Sequence, residues 1–502
     1  MGVNVLELTD ITKRFGSLTA NDSISLSLAK GEVLALLGEN GAGKTTLMNI
    51  LFGHYVADEG AIKVRGEVLP PGSPEAAIKA GIGMVHQHFT LADNLTVLEN
   101  VILGRESLWR WRQDLGHGRQ RLGELSEQFG LGIDPDALVG NLSVGQRQRV
   151  EILKALYADA HILILDEPTA VLTPQETDSL FATLRSLVAQ GRSAIIISHK
   201  LHEILRVSDR VAVLRRGQVV GQVPTAHANR DQLAEMMVGR SVVRPQAEAL
   251  SPGQNLLSLS AVQTNSRTGP LVGMDMELRA HEILGIAGVA GNGQTALAQL
   301  LSGTIAPSAG RMALLGQEIK QADPRAMVSL GVGRIPEDRQ HSGVVGEMAI
   351  WENLVSEEIR QSGFSGKLGF LKKSAAKKHA EHLIDRFDVR CQGPEAETRL
   401  LSGGNMQKLI LARSLSREPR IILASQPSRG LDEGAIAYVH GQLLEARKRG
   451  AGIILISEDL DELMALSDRI AVFYRGKILA TLAVHEFDTK KIGLMMSGQA
   501  AA

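Results

Sequence analysis

The first chemistry legible in the chain is phosphate binding. Gly38-Glu39-Asn40-Gly41-Ala42-Gly43-Lys44-Thr45 has the spacing of a phosphate loop. Its glycines let backbone N–H groups wrap the β- and γ-phosphates, and the positive end of the following helix adds to the attraction. In that reading Lys44 neutralises the transferring phosphate and Thr45 offers its hydroxyl to Mg²⁺. Gly38, Asn40, Gly41, Gly43 and Thr46 complete the cradle. Further on, His161-Ile162-Leu163-Ile164-Leu165-Asp166-Glu167 is an apolar run closed by two carboxylates. Behind a phosphate loop these become a metal-and-base pair, Asp166 holding Mg²⁺ and Glu167 polarising the attacking water. Gln87 follows a strand-like run and could reach the metal and sense the γ-phosphate. His199 follows Ile195-Ile196-Ile197-Ser198 and could bond the γ-phosphate. Taken singly, a Gln or a His in such a place is more often structural. Phe15, in Thr12-Lys13-Arg14-Phe15-Gly16, could stack on an adenine or sit in the core.

These groups need elements that aim them at one spot. Val33 to Leu37 precedes the glycine loop as a short apolar run, and Leu47 to Phe52 continues as helix. Ile162 to Leu165 and Ala194 to Ile197 have the unbroken apolar character of strands buried on both faces of a parallel sheet. Alternation of such strands with helices predicts an α/β fold with right-handed crossovers and ligands at the carboxyl ends of the strands. Residues 90 to 160 and 345 to 420 read mainly as helix and loop, a separate helical lobe.

The chain is a duplication. Gly38 to Thr45 recurs as Gly288-Val289-Ala290-Gly291-Asn292-Gly293-Gln294-Thr295, a shift of 288 − 38 = 250. Leu142-Ser143-Val144-Gly145-Gln146 recurs as Leu401-Ser402-Gly403-Gly404-Asn405, a shift of 402 − 143 = 259. The second half has therefore gained nine residues, 259 − 250, between 337 and 402. The join lies in Ser241 to Asn255, where Pro245, Pro252 and Gly253 and the lack of apolar periodicity mark a linker. The expected division is a first domain over 1–244, a linker over 245–255 and a second domain over 256–502. A chain of 502 residues is also too long for one core.

Composition narrows the function classes. The net charge of −1 gives no basic footprint for nucleic acid. The single cysteine, Cys391, allows no disulfide within the chain and no cysteine-rich zinc module. The first twenty residues carry Glu7 and Asp10 without an apolar core, so no signal peptide is expected. Apolar runs of four or five residues fall far short of the roughly twenty that span a bilayer.

Leu-Ser-x-Gly-Gln at 142–146 and Leu-Ser-Gly-Gly-Asn at 401–405 resemble the signature of the ABC ATPases. With both phosphate-loop positions, Gln87, Asp166-Glu167 and His199 in the family's order, the resemblance covers essentially the whole chain. It implies two tandem P-loop NTPase domains, each with a RecA-like sheet core and a helical subdomain. It also implies composite sites, in which ATP and Mg²⁺ are held by the phosphate loop of one half and the signature of the other, and hydrolysis drives a transporter. Site one would join Lys44, Thr45, Gln87, Asp166, Glu167 and His199 to Ser402, Gly403 and Gly404. Site two would join the second loop to Ser143 and Gly145, but its chemistry is stripped. Gln294 stands for Lys44, Ser425 and Gln426 for Asp166 and Glu167, Glu337 for Gln87, and Glu458 for His199. Site one is expected to turn over while site two binds nucleotide weakly or statically.

A fused pair with a degenerate second half is similar to the import ATPases for simple sugars and nucleosides. Gly83 to Phe89, Asn94 to Val101, Gly291 to Thr295 and Ala424-Ser425-Gln426-Pro427 lean toward the nucleoside branch, served by basic-membrane-protein-type lipoproteins. The resemblance implies transmembrane permease partners, an indirect extracytoplasmic solute-binding protein, no nucleic acid, and a place on the cytoplasmic side of a bacterial inner membrane. Ribose or galactose remains the alternative cargo. Soluble tandem ABC proteins acting on ribosomes keep both sites and a long charged linker, unlike this chain. A purely nucleotide-binding regulator fits the second half but not the first. Arg105 to Arg121, with Trp109 and Trp111, reads as a membrane-subunit-facing stretch or a solvated loop, and Lys367 to Lys378 as an exposed helix face.

Overall fold

Strands made only of Val, Leu, Ile and Ala cannot face water on either side, so they must be central and parallel, with helices above and below. The computed structural model has this arrangement twice. It describes all residues except 1–2, 17, 40, 87–89, 104–114, 170–171, 173, 199, 240–244, 267–268, 290, 361–362, 367–369, 497 and 499–502. The chain divides into two units, Met1–Val242 and Val243–Ala502.

In the first unit a six-stranded sheet runs in the order Gln218–Pro224, Arg210–Arg215, Val33–Gly38, Ser193–Ile197, Ile162–Asp166, Ile82–Val85. All neighbours are parallel except the outermost hairpin of Arg210–Arg215 with Gln218–Pro224. Leu34, Leu36, Ile164 and Ile195 on one face and Ala35, Leu37, Leu163 and Ile196 on the other enter two different cores. Each of these Leu and Ile side chains contributes about 1.5–3 kcal/mol on burial. The second unit repeats the sheet with Val332–Ile335, Ile421–Ser425, Gly452–Ser457, Ile283–Ala287, Arg469–Tyr474 and Lys477–Ala483.

A four-stranded antiparallel sheet covers one face of each unit, formed around Asn4–Phe15 and around Asn255–Gln263. Sequence reasoning did not anticipate this sheet. Its strands alternate polar and apolar residues, and Asp10, Ser23 and Ala261 interrupt the register with positive φ.

The helical lobe holds Val97–Ile102, Leu115–Gln128 and Val144–Tyr157 in the first unit. Its counterpart holds Ile350–Val355, Lys373–Arg386 and Gly403–Leu415. Their positions show where the nine extra residues entered. The shift is 350 − 97 = 253 at the start of the first helix, 386 − 128 = 258 at the end of the second and 403 − 144 = 259 at the start of the third. The gain is therefore three, five and one residues in successive connections. Lys373–Arg386 buries Ala376, Ala380 and Leu383 and turns Lys373 and Lys378 to solvent, so the expected exposed face holds from Lys373 on, while Lys367 lies outside the described residues. Of the basic stretch after 104, Trp109 and Trp111 lie outside the described residues, and Arg119 pairs with Asp136 at 2.6 Å on the surface.

The segment 245–254 has no regular structure and Asn255 already opens the strand Asn255–Gln263, and the segment is bound to the second unit. Ala247 N–H donates to Ala465 O and Gly253 N–H to Ala280 O. The buried Arg447 guanidinium donates to Glu248 O at 2.8 Å and His281 O at 3.0 Å, and pairs with Asp468. The first unit has Val188 at the corresponding place (447 − 259), a side chain with no hydrogen-bond donor. Among the described residues no helix is long and apolar enough to cross a membrane.

Removing Arg447 strands the half-buried Asp468 and releases the segment. Arg447→Met should destabilise the second unit by about 2–3 kcal/mol, less than a fully buried pair because Asp468 reaches water. Hydrogen exchange would report it as faster exchange confined to peptides of 243–502. Unchanged exchange there would show that the clasp contributes nothing.

Candidate functional site

The loop before the helix Lys44–Leu51 is shaped by residues without a Cβ. Gly41 has φ 82° and Gly43 φ 100°, the left-handed region that glycine alone enters freely. At Gly43 a Cβ would lie 2.3 Å from Ala20 O and 2.6 Å from Asn21 Nδ2. Asn21, itself buried, donates from Nδ2 to Gly43 O at 3.0 Å and fixes the turn from below. The helix thus starts with its free N–H groups facing the loop, the arrangement that binds anions.

Lys44 is buried, and its ammonium donates to Gly38 O at 2.6 Å and Glu39 O at 2.9 Å. Thr45 is exposed at the loop and Thr46 half-buried. Asn40 lies outside the described residues. Phe15 is 45% exposed, so it is not a core residue. Its ring meets Tyr55 edge-on at 5.6 Å, with Lys13 Nζ 5.5 Å from its centroid.

Asp166 ends a strand two places from Val33–Gly38 in the sheet, about 10 Å across. Burial and the neighbouring Glu167 raise its pKa, and the charge of Lys44 draws it back down. Glu167 follows with φ 46°, an unusual conformation for a side chain of its size, held by its N–H donating to Ile197 O at 2.9 Å. The strands leading to Gln87 and His199 end on the same sheet edge, and both residues lie outside the described residues.

The second unit keeps this backbone and loses the chemistry. Gly291 and Gly293 have φ 88° and 111°, and Gln426 has φ 46°, as Glu167 does. Gln294 occupies the place of Lys44 and donates to Val289 O at 3.1 Å, while its buried Oε1 has no hydrogen-bond partner among the described residues. Gln426 Oε1 accepts from Glu458 N at 3.3 Å. A cavity of about 970 Å³ opens here, lined among others by Gly291, Gln294, Thr295, Glu337, Gln426 and Glu458.

The two signature segments also differ. Ser143 caps the helix Val144–Tyr157 in a full capping box with Gln146. Ser402 caps Gly403–Leu415 and accepts from Asn405 Nδ2 at 2.9 Å. At the first signature the carboxylate of Glu176 accepts from Gly145 N–H at 3.1 Å and from Ser143 Oγ at 3.3 Å. Sequence reading missed Glu176, although aligning the halves puts Ala435 opposite it (435 − 259 = 176). It also missed Glu203, buried beneath the site, where it accepts from Thr169 Oγ1 and from Lys200 Nζ at 3.1 Å.

A family model described as ABC transporter matches residues 21–170 and again 271–429. The chain is 44% identical to the nucleoside import ATP-binding protein NupA of Lactococcus lactis subsp. cremoris, over 98% of each chain. It is 44% identical to the guanosine import ATP-binding protein NupO of Bacillus subtilis, over 98% of this chain and 97% of that one. It is also 44% identical to the glucose import ATP-binding protein TsgD13 of Haloferax volcanii, over 98% of this chain and 96% of that one. The fold is similar to that in the crystal structure of archaeal ribosomal stalk protein aP1 with archaeal ribosome recycling factor aABCE1. That match has TM-score 0.63 and 20% identity over 95% of this chain and 90% of that one. With two matched repeats, full-length relatives and a phosphate loop at the head of each unit, the chain belongs to the ABC transporter family as a fused pair of ATP-binding cassettes.

Proposed function

We propose that this chain is the ATP-hydrolysing subunit of a bacterial importer for a nucleoside or a related solute, with all turnover at the first unit's phosphate loop. It would work on the cytoplasmic side of the inner membrane against transmembrane permease subunits, fed by an extracytoplasmic solute-binding protein. One observation carries the asymmetry. Both units build the same loop and the same left-handed residue after the acidic strand, yet only the first puts Lys44, Asp166 and Glu167 on that frame. Two relatives named for nucleosides support the cargo, and the relative named for glucose keeps a simple sugar as the second reading.

The residues suit Mg-ATP. Thr45 and Asp166 supply the hard oxygen donors that Mg²⁺ prefers, and with Gln87 would hold it. The ion would supply charge neutralisation at the phosphates. The glycine loop wraps the phosphates with N–H groups, and Lys44 exchanges its bonds to Gly38 O and Glu39 O for phosphate oxygens. Phe15, exposed beside Tyr55, would stack on the adenine. Glu167 orients and deprotonates the attacking water, and His199 bonds the γ-phosphate. Ser402, Gly403 and Gly404 would close over that phosphate, as the family's composite site implies.

Glu167→Gln in the purified complex should lower ATP hydrolysis about 100-fold or more while ATP binding persists, since one well-placed charged group is removed from the reaction. Near-normal turnover would refute the assignment.

The protonation of Asp166 gives a second test. A raised pKa keeps a carboxylate neutral to higher pH than usual, so divalent-ion binding should be weak on the acid side and strengthen as pH rises through it. Lys44→Met removes the charge that lowers this pKa and should move the transition to higher pH, as read by Mn²⁺ binding. Lys44→Arg should leave it in place.

For the cargo, uptake of radiolabelled guanosine by proteoliposomes holding the full complex should resist excess ribose, galactose or glucose. Displacement by a sugar, with no nucleoside accumulation, would establish the sugar reading.

A further inference from the structure

The side chains of the first signature are already engaged. Ser143 Oγ and Gly145 N–H are the kind of donors a terminal phosphate takes at the positive end of a helix, here Val144–Tyr157. Both point at one oxygen, Glu176 Oε1, at 3.3 and 3.1 Å. The fit is close: a Cβ on Gly145 would lie 2.5 Å from that oxygen, and Gly145 is buried beneath it. Glu176 stands in the first turn of the helix Pro174–Ala189. The second signature has no equivalent. Ala435 takes the place of Glu176 in the helix Glu433–Lys448, Gly403 is exposed, and a Cβ built on Gly404 would meet only Ala435 Cβ, at 3.7 Å.

We infer that Glu176 is a specificity-determining residue of the first signature: its carboxylate occupies the donors that a γ-phosphate would need, and so excludes nucleotide from the degenerate composite site. The inference rests on the reading above, in which each signature serves the other unit's phosphate loop. A carboxylate and a phosphate cannot share these donors, because like charges within hydrogen-bond distance repel and the bonds to Glu176 are charge-assisted. The asymmetry of the protein is then built twice. The second loop lacks the cation that would draw phosphate in, and the first signature carries an anion that keeps phosphate out.

The test uses the full complex and photoreactive 8-azido-ATP cross-linked before turnover, with the label mapped by proteolysis to either unit. Wild type should label the first unit predominantly. Glu176→Ala and Glu176→Gln should each raise the ratio of second-unit to first-unit label about tenfold or more, the worth of a charge-assisted pair of bonds. Glutamine keeps an acceptor for Gly145 N–H while losing the charge. A role confined to bracing the helix would therefore leave Glu176→Gln like wild type, and that outcome overturns the inference. Ala435→Glu makes the reciprocal test. A carboxylate placed over Ser402 and Gly404 should suppress vanadate trapping at the first unit about tenfold or more, and normal trapping there would overturn the inference as well. Equal labelling of both units in wild type would overturn the inference, whereas equal vanadate trapping at both units would instead refute the asymmetry of turnover stated under Proposed function, so the two failures are distinguishable.

Discussion

A buried cation must be answered by oxygen, and Lys44 is such a cation. Its ammonium sits under the glycine loop with Gly38 O and Glu39 O as acceptors, so those carbonyls must turn inward and the N–H groups outward. That turn demands the left-handed glycines at 41 and 43, and the helix start at Lys44 follows from it. Placing the loop at the end of a central strand then sets the distance to Asp166 and Glu167, two strands away. The second unit keeps the frame with a neutral occupant. Gln294 donates to one carbonyl, Val289 O, and its buried oxygen has no partner among the described residues. A charge replaced by an amide preserves the shape of the loop and removes its pull on phosphate.

Much of this was legible in the sequence because it depends on local rules. Glycine spacing, unbroken apolar strands and paired carboxylates each have one structural solution behind a phosphate loop. The 250- and 259-residue shifts exposed the duplication for the same reason. The antiparallel sheets were not legible. Their strands are long, and bulges at Asp10 and Ser23 throw the polar–apolar alternation out of phase, so no continuous period of two stands out. The position of Phe15 was left open by the sequence, since an aromatic residue beside a loop is at home in a core or on a surface, and the structure puts it on the surface.

Contacts between distant residues were the other gap. Glu176 lies thirty-odd residues from the signature it touches, on a helix whose sequence gives no reason to look there. Arg447 is similar: nothing near it in the chain predicts a clasp on Glu248 O. In both cases the usable signal was a difference between the halves, Glu against Ala and Val against Arg.

The left-handed residue shared by the two units has a consequence for how the halves can diverge. Glu167 and Gln426 hold the same φ of 46°, a conformation costing on the order of 1 kcal/mol for a residue with a Cβ. The second half bears that strain without a carboxylate to aim. Loss of chemistry has therefore proceeded by exchange of side chains on an unaltered scaffold. The route back is equally short in structural terms: restoring charge at Gln294, Ser425 and Gln426 would ask nothing new of the main chain. Counted in substitutions, the second cassette stands a few codons from the residue set of the first.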